Sequence, residues 1–594
     1  MGHYKINEDD LFFILRDQLN YGRLCEFDRY RELDPETLDM LVTEALKFAR
    51  GVIDPLNEAG EKHGCIFENG RVVATPEFKD AFRQYGENGY TAVARGPKYG
   101  GQGFPQMMRI LVNDLMYGAA QSFNMMPSLT HGAAHLIESF ADERLKALFV
   151  PKMYGGRWSG TMCLTEPGAG SNLAALRTTA VPDGDIYKIK GTKCFISWGE
   201  HDLTDNIVHL LLARIQGAPE GIQGISLFIV PKVWVNDDGS LGQPNDVVCT
   251  GIEKKLGLHA SPTCVLNFGD NDQCRAYLCG QANRGLAHMF QMMNQARINV
   301  SVSGTTLAGT AYQHALAYAR ERVQGGDLAG RKDGYVPIID HPDVRRMLLW
   351  MKAATEGLRS MIYSAAFWSD LARELPAGEE RDHYEALVDF FTPILKAYCS
   401  DMGFQVCETA IQVLGGYGFT KDYPLELYLR DAKIMSLYEG TNGIQSIDLM
   451  GRKMKINDGG PFKAYMRELG DFCEKQADHP VLGPEVRRLA EVSARLSETA
   501  LALAAKRDSD PLHWGAASYP ALLCFGDVTL SWRLLDMAVT AHRLLESGKS
   551  GDFYTGKIMQ ATYFSGTTLP LTRARLETCF REGREVVELP DGAF

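Results

Sequence analysis

Four short stretches carry side chains that could do chemistry. YEGT, residues 438–441, holds a carboxylate, Glu439; the type suits proton abstraction, although a lone glutamate before glycine is ordinarily a solvated helix end. CLTEPGAGSN, residues 163–172, is a glycine-rich turn flanked by hydroxyls. Without Cβ atoms in the way, backbone N–H groups there can approach a planar ligand and stabilise charge on it, and the plain alternative is a β turn. KCFISWG, residues 193–199, sets Phe195 and Ser197 on an alternating pattern that by itself is a half-buried strand. RERVQGG, residues 320–326, presents Arg322, whose planar and permanently charged guanidinium suits phosphate oxygens, although most single arginines are solvated.

These stretches need elements to position them. DPETLDMLVTEALKFARGVIDPL from Asp34 offers an N-cap, a proline at the first helical position and apolar residues at helical spacing, so the chain opens helically. The loop PKYGGQGFPQ, Pro97 to Gln106, interrupts that helical region. Short strand-like runs such as IYKIKGTKCFIS, VHLLLARI and GISLFIVPK follow, separated by Gly, Asp and Pro turns. After Asn283 long helical runs return and predict a bundle; beyond the polar break INDGGPFK, Val486, Leu489, Val492, Leu496 and Leu503 predict a further helical domain. The expected domains are 1–157, 158–282, 283–456 and 463–594.

Composition narrows the function classes. The chain has 594 residues, 45% hydrophobic and 23% charged, as in an ordinary globular protein of several domains. Its net charge of -12 disfavours nucleic acid as the main partner. The 13 cysteines show no CxxC pair or zinc spacing, which suggests reduced thiols in a reducing compartment. The start MGHYKINEDD lacks the regions of a secretory signal and is expected to be a cytoplasmic one, and no run approaches the length of a membrane span. GAGSNL breaks the dinucleotide fingerprint at Leu173, and neither a phosphate loop nor a GxSxG elbow occurs. His131 and His135 stand four apart in HGAAH but lack a third ligand, so no metal is expected; Met125 and Met126 suit an acyl pocket or a core equally.

Taken together and in order, these stretches resemble the acyl-CoA dehydrogenase family. The most specific is IQVLGGYGFTKDYPLELYLRDAKIMSLYEGTNGIQ, residues 411–445. Departures are Asn172 in place of aspartate, Phe195 in place of a more usual tryptophan, and Gly325 within RVQGG. The fold implied is α+β, mainly α: an N-terminal helical domain, a β-barrel-like middle domain, a helical bundle and an additional C-terminal helical domain. The resemblance implies FAD, with cofactor contacts from Leu164, Thr165, Gly170, Ser171, Phe195, Ser197, Thr441 and Asn442. Arg322, Gln324, Gln412, Gly415 and Gly416 would reach a neighbouring subunit's FAD, hence a homodimer, with Arg430 and Asp431 fixing a helix junction. Acyl-CoA contacts would come from Ser171, Asn294, Arg297, Tyr438 and Gly440.

The implied reaction converts an acyl-CoA to its trans-2-enoyl-CoA and passes electrons to an electron-transferring flavoprotein. Glu439 would be the base, its backbone N–H would stabilise the thioester oxygen, and an enclosed apolar site would raise its pKa. DLFFILRDQL, PKYGGQG and LTHGAAHLI are most similar to the bacterial group that contains 3-methylmercaptopropionyl-CoA dehydrogenases. Alternatives on the same fold are an acyl-CoA oxidase or an alkylation-response flavoprotein; the latter's DNA-binding tail is basic, unlike this carboxyl-terminal region.

Overall fold

The computed structural model describes residues 3–581 and 584–594. They form two compact units: Glu36–Asn299 with the first residues up to Tyr4, and Val300–Phe594 with Lys5–Pro35.

The first unit begins with helices, among them α1 (Glu77–Glu87), α2 (Gln106–Ala119), α3 (Gln121–Phe140) and α4 (Glu143–Tyr154). Asp142 starts α4 by accepting the Leu145 N–H at 2.8 Å. Eight strands of one sheet follow: β1 (Trp158–Cys163), β2 (Thr179–Asp183), β3 (Ile186–Ser197), β4 (Asn206–Ile215), β5 (Ile225–Pro231), β6 (Val247–Ile252), β7 (Thr263–Phe268) and β8 (Arg275–Leu278). Their order is β6-β7-β3-β8-β5-β4-β1, and β2 pairs with both β3 and β4. That double pairing closes β2, β3, β8, β5 and β4 into a ring, the barrel the middle domain was expected to contain.

Strand β4 explains why its sequence runs apolar without alternation. Val208, Leu210 and Leu212 pack with Ile137, Leu148 and Phe149 of the helices, while Leu211 and Ala213 point the other way, into the cluster of Ile189, Phe228 and Val230. Both faces are covered, so both are apolar.

The second unit is helical. It receives α5 (Gly285–Glu321), a helix of 37 residues that starts in the first unit. The hairpin β9 (Val323–Gly326) and β10 (Tyr335–Pro337) leads to α6 (Pro342–Glu374), α7 (Glu379–Leu414), α8 (Leu425–Lys433) and α9 (Asn442–Ile447). The last stretch holds α10 (Gly460–Gln476), α11 (Gly483–Lys506), α12 (Pro511–Glu546) and α13 (Asp552–Phe580). Helix α12 lies against α7 closely enough that a Cβ on Gly526 would sit 2.0 Å from the Tyr398 ring, and Trp532 stacks on Trp368 of α6 at 6.2 Å. The C-terminal helices therefore share a core with the bundle.

The opening segment belongs here too, rather than with the N-terminal helices where the sequence analysis put it. Gln18 donates to Asp536 at 2.9 Å and Tyr30 to Glu374 at 3.2 Å. Buried Lys557 of α13 binds both Asp10 and Glu356, and Gln560 adds a bond to Glu356. Burial pushes Asp10 upward in pKa; for Glu356 burial acts the same way but Lys352 and Lys557 outweigh it and hold the carboxyl below its usual range. Among the described residues no helix is long and apolar enough to cross a membrane.

Candidate active site

In the first unit the turn after β1 is bolted to β3 from beneath. Lys193, fully buried, donates to the Leu164 carbonyl at 2.9 Å and to Glu166 at 2.8 Å. Glu166 also accepts the backbone N–H groups of Arg177 (2.7 Å) and Thr178 (3.1 Å), and its own backbone exchanges two bonds with Ala169. Burial lowers the Lys193 pKa; Glu166 is raised by burial but more strongly lowered by Lys193 and the surrounding donors. The motif's glutamate is thus a structural anchor, which the sequence analysis did not assign.

The turn's other side is open. A Cβ on Gly168 or Gly170 would meet nothing within 4 Å, and Ser171 is exposed. The Thr165 carbonyl accepts the Cys194 N–H at 3.0 Å, which brings half-buried Thr165 beside the end of β3, with Leu164 buried behind it. There Phe195 and Trp198 both have φ +56°, uncommon for bulky residues. The kink drives Trp198 inward, where its Nε1 donates to the Ser122 carbonyl at 3.2 Å, and leaves Phe195 63% exposed next to half-buried Ser197. An exposed aromatic ring held on a strained backbone beside a turn without side chains fits a flat ligand.

Asn294 and Arg297 lie on the first half of α5, Asn294 exposed and Arg297 buried. His131 bonds to the Thr91 carbonyl at 2.7 Å and His135 to Gln295 at 2.8 Å, so each ring has a packing partner. Among the described residues no three His, Cys, Asp or Glu side chains are grouped to hold a metal ion.

In the second unit Glu439 is half-buried on a turn between α8 and α9, with φ +58°, followed by Gly440 at +82°. Left-handed backbone costs a non-glycine residue roughly 1–2 kcal/mol, and Gln445 holds the turn in place. Its Nε2 donates to the carbonyls of Glu439 (3.3 Å) and Gly440 (3.2 Å). Thr441 caps α9 by accepting the Ile444 N–H at 3.2 Å, and Tyr438 is half-buried beside it.

Asn442 departs from expectation. Its Oδ1 accepts from Lys396 at 2.9 Å and its Nδ2 donates to Asp401 at 2.8 Å and to Ser400 and the Ala397 carbonyl at 3.1 and 3.2 Å. The amide is buried and fully committed inside the bundle, which leaves it no donor for a cofactor.

Elsewhere in this unit Arg322 and Gln324 are exposed on and beside β9, and Gln412, Gly415 and Gly416 are exposed at the end of α7. A Cβ on Gly415 or Gly416 would meet nothing within 4 Å. Tyr318 near the end of α5 packs on Tyr423 and Tyr417, and Phe419 is 89% exposed. Arg430 forks onto Glu426 one turn earlier, at 2.7 and 3.1 Å, and Asp431 is buried.

Comparison with known proteins decides what family builds such a site. Models of the acyl-CoA dehydrogenase N-terminal, middle and C-terminal domains match residues 35–157, 161–271 and 283–454. A 3-methylmercaptopropionyl-CoA dehydrogenase of Ruegeria pomeroyi is 38% identical over 574 residues, 95% of this chain and 96% of that one. The chain belongs to the acyl-CoA dehydrogenase family. It is an oxidoreductase acting on a CH–CH bond, as the family resemblance implied. A butyryl-CoA dehydrogenase of Syntrophomonas wolfei is 37% identical over the whole of this chain and 99% of its own. Residues 465–590 match the model of an acetyl-CoA dehydrogenase C-terminal-like domain, so this acyl-CoA dehydrogenase carries the family's additional helical domain. The solved structure of Caenorhabditis elegans ACDH-11 in complex with C11-CoA shares the fold, with TM-score 0.77 and 20% identity over 94% of this chain and 93% of that one.

Proposed function

We propose that this enzyme dehydrogenates the α and β carbons of an acyl-CoA thioester, with FAD as cofactor and an electron-transferring flavoprotein as acceptor. The observation that carries the reading is Glu439: a carboxylate kept on a strained left-handed turn whose carbonyls are pinned by a buried glutamine. Strain of that kind persists where a side chain must be aimed. Glu439 would take the weakly acidic α proton, and its backbone N–H would meet the charge that grows on the thioester oxygen.

The residues present fit FAD. In the first unit Thr165, Gly170, Ser171, Phe195 and Ser197 offer an open turn and an exposed ring for a flavin, with Leu164 behind them; in the second unit Thr441 caps the start of α9. Arg322, Gln324, Gln412, Gly415 and Gly416 are exposed and carry the charge and small size that suit a diphosphate and adenosine of a second copy, which supports a homodimer. When bound, FAD supplies the two-electron acceptor for the β hydrogen. For the CoA thioester the family resemblance nominates Asn294 and Arg297 in the first unit and Tyr438 and Gly440 in the second. The relatives' activities put 3-methylmercaptopropionyl-CoA and butyryl-CoA first among substrates to try.

The test is anaerobic mixing of the purified yellow protein with a panel of acyl-CoAs. Bleaching of the flavin absorbance by a short acyl-CoA is expected, and Glu439→Gln should keep the flavin yet bleach on the order of 10²- to 10⁴-fold more slowly. Protein that holds no flavin, or a glutamine variant as fast as the parent, overturns the reading. Peroxide made without an electron-transferring flavoprotein would identify an oxidase instead.

A further inference from the structure

The residue that opens α9, directly after the Glu439 turn, is itself held from the additional C-terminal domain. Asn442, three residues after Glu439, is the first residue of α9, and its Nδ2 donates to Asp401 Oδ1 at 2.8 Å. The other Asp401 oxygen accepts the hydroxyl of Tyr519, which stands on α12 within the 465–590 domain. Nothing about the Glu439 turn requires a residue from so late in the chain. We propose that Tyr519 is a positioning residue: through Asp401 and Asn442 it sets the stance of the turn that carries Glu439, so the additional domain tunes proton abstraction.

The chemistry of the link supports a precise rather than a merely adhesive role. Lys396 donates to Asn442 Oδ1 at 2.9 Å, which fixes the amide's orientation and turns Nδ2 toward Asp401. Asp401 is mostly buried, and burial raises its pKa; the donors Tyr519 and Asn442 and the Lys396 charge draw it back. Without the Tyr519 hydroxyl one carboxylate oxygen loses its donor in a desolvated place, so Asp401 must take a proton or swing away. Either response withdraws the acceptor that orients Asn442. The rest of α9 keeps its cap from Thr441, so the loosening is local to residues 438–442.

This inference rests on Glu439 being the base, and one set of variants separates the two claims. Holoenzyme carrying Tyr519→Phe, Asp401→Asn or Glu439→Gln is reduced anaerobically by a saturating range of acyl-CoA, and backbone amide exchange of residues 437–446 is followed by mass spectrometry. Tyr519→Phe is expected to slow the limiting bleaching rate about 10- to 100-fold, as a small misplacement of a reacting group does, with the half-saturating concentration within about twofold of the parent. Amides of 437–446 should exchange faster while the rest of α12 does not. Asp401→Asn, which keeps the side-chain volume, should behave alike and serves if the tyrosine variant does not fold. A parental limiting rate in Tyr519→Phe, with Glu439→Gln still inactive, overturns the positioning role alone; so does a rate loss without local change in exchange. An active Glu439→Gln overturns the base assignment beneath it.

Discussion

Gln445 Nε2 lies 3.3 Å from the Glu439 carbonyl oxygen and 3.2 Å from that of Gly440, so one buried side chain pins both peptide units of the left-handed turn. Replacing it with leucine removes both bonds and leaves two carbonyls unpaired. Gln445→Leu is expected to lose about 1–3 kcal/mol of stability and at least tenfold in limiting rate. A denaturant titration beside the anaerobic assay checks both.

The strain at Glu439 predicts a trade between stability and activity. Asparagine tolerates the left-handed region better than glutamate, so Glu439→Asn is expected to unfold at a slightly higher denaturant concentration, by up to about 1 kcal/mol. The same variant should be inactive. A lower midpoint than the parent would show that the glutamate side chain stabilises its turn more than the backbone resists it.

Lys193 and Glu166 form a buried pair in which each needs the other. Lys193→Met leaves an unpaired carboxylate and should cost about 3–5 kcal/mol, with loss of flavin from the protein as the turn above it slackens. Adding Glu166→Gln should recover much of the stability. Flavin content after gel filtration and the thermal midpoint of single and double variants distinguish the pair from two independent sites.

Much of the chain's organisation was legible from local signals. The helix Pro35–Phe48 begins at the proline that follows Asp34, and β3 to β5 fall on the strand-like runs, because period and turn residues are written locally. The ring closure was not, since β2 joins β3 and β4 through pairings that no short window contains. At the site, YEGT and TEPGAGSN were recognisable by type and order. The burial of the Asn442 amide was not legible because its partners Lys396 and Asp401 lie more than 40 positions earlier in the chain, and Tyr519 carries no local signal. Glu166, Lys193 and Gln445 were inside quoted motifs, and their buried roles emerge only with the packing.

Two buried histidines make the first unit acid-sensitive. His201 accepts the Leu203 N–H on Nδ1 at 3.2 Å and meets Ser159 through Nε2 at 2.8 Å; His209 meets Thr161 at 2.7 Å. Burial pushes both pKa values down to about 3. Between that value and the ordinary 6.5 the unfolded chain binds protons the folded one refuses, so stability falls as pH falls through 6.5. The expected loss is about 2 kcal/mol per histidine at pH 5 relative to pH 8. Urea midpoints at the two pH values measure it, and His209→Gln should flatten the dependence.

Asp10 meets Lys557, 547 residues downstream. On a ribosome adding 5–20 residues per second, the opening segment emerges roughly 30–110 s before Lys557 exists. Until then Asp10 and the α6 carboxylate Glu356 have Lys352 for a counter-ion but lack Lys557. The second unit can therefore complete itself only after Lys557 has been made, and whatever shields its half-made apolar faces in the interval matters as much to yield as the finished contacts do.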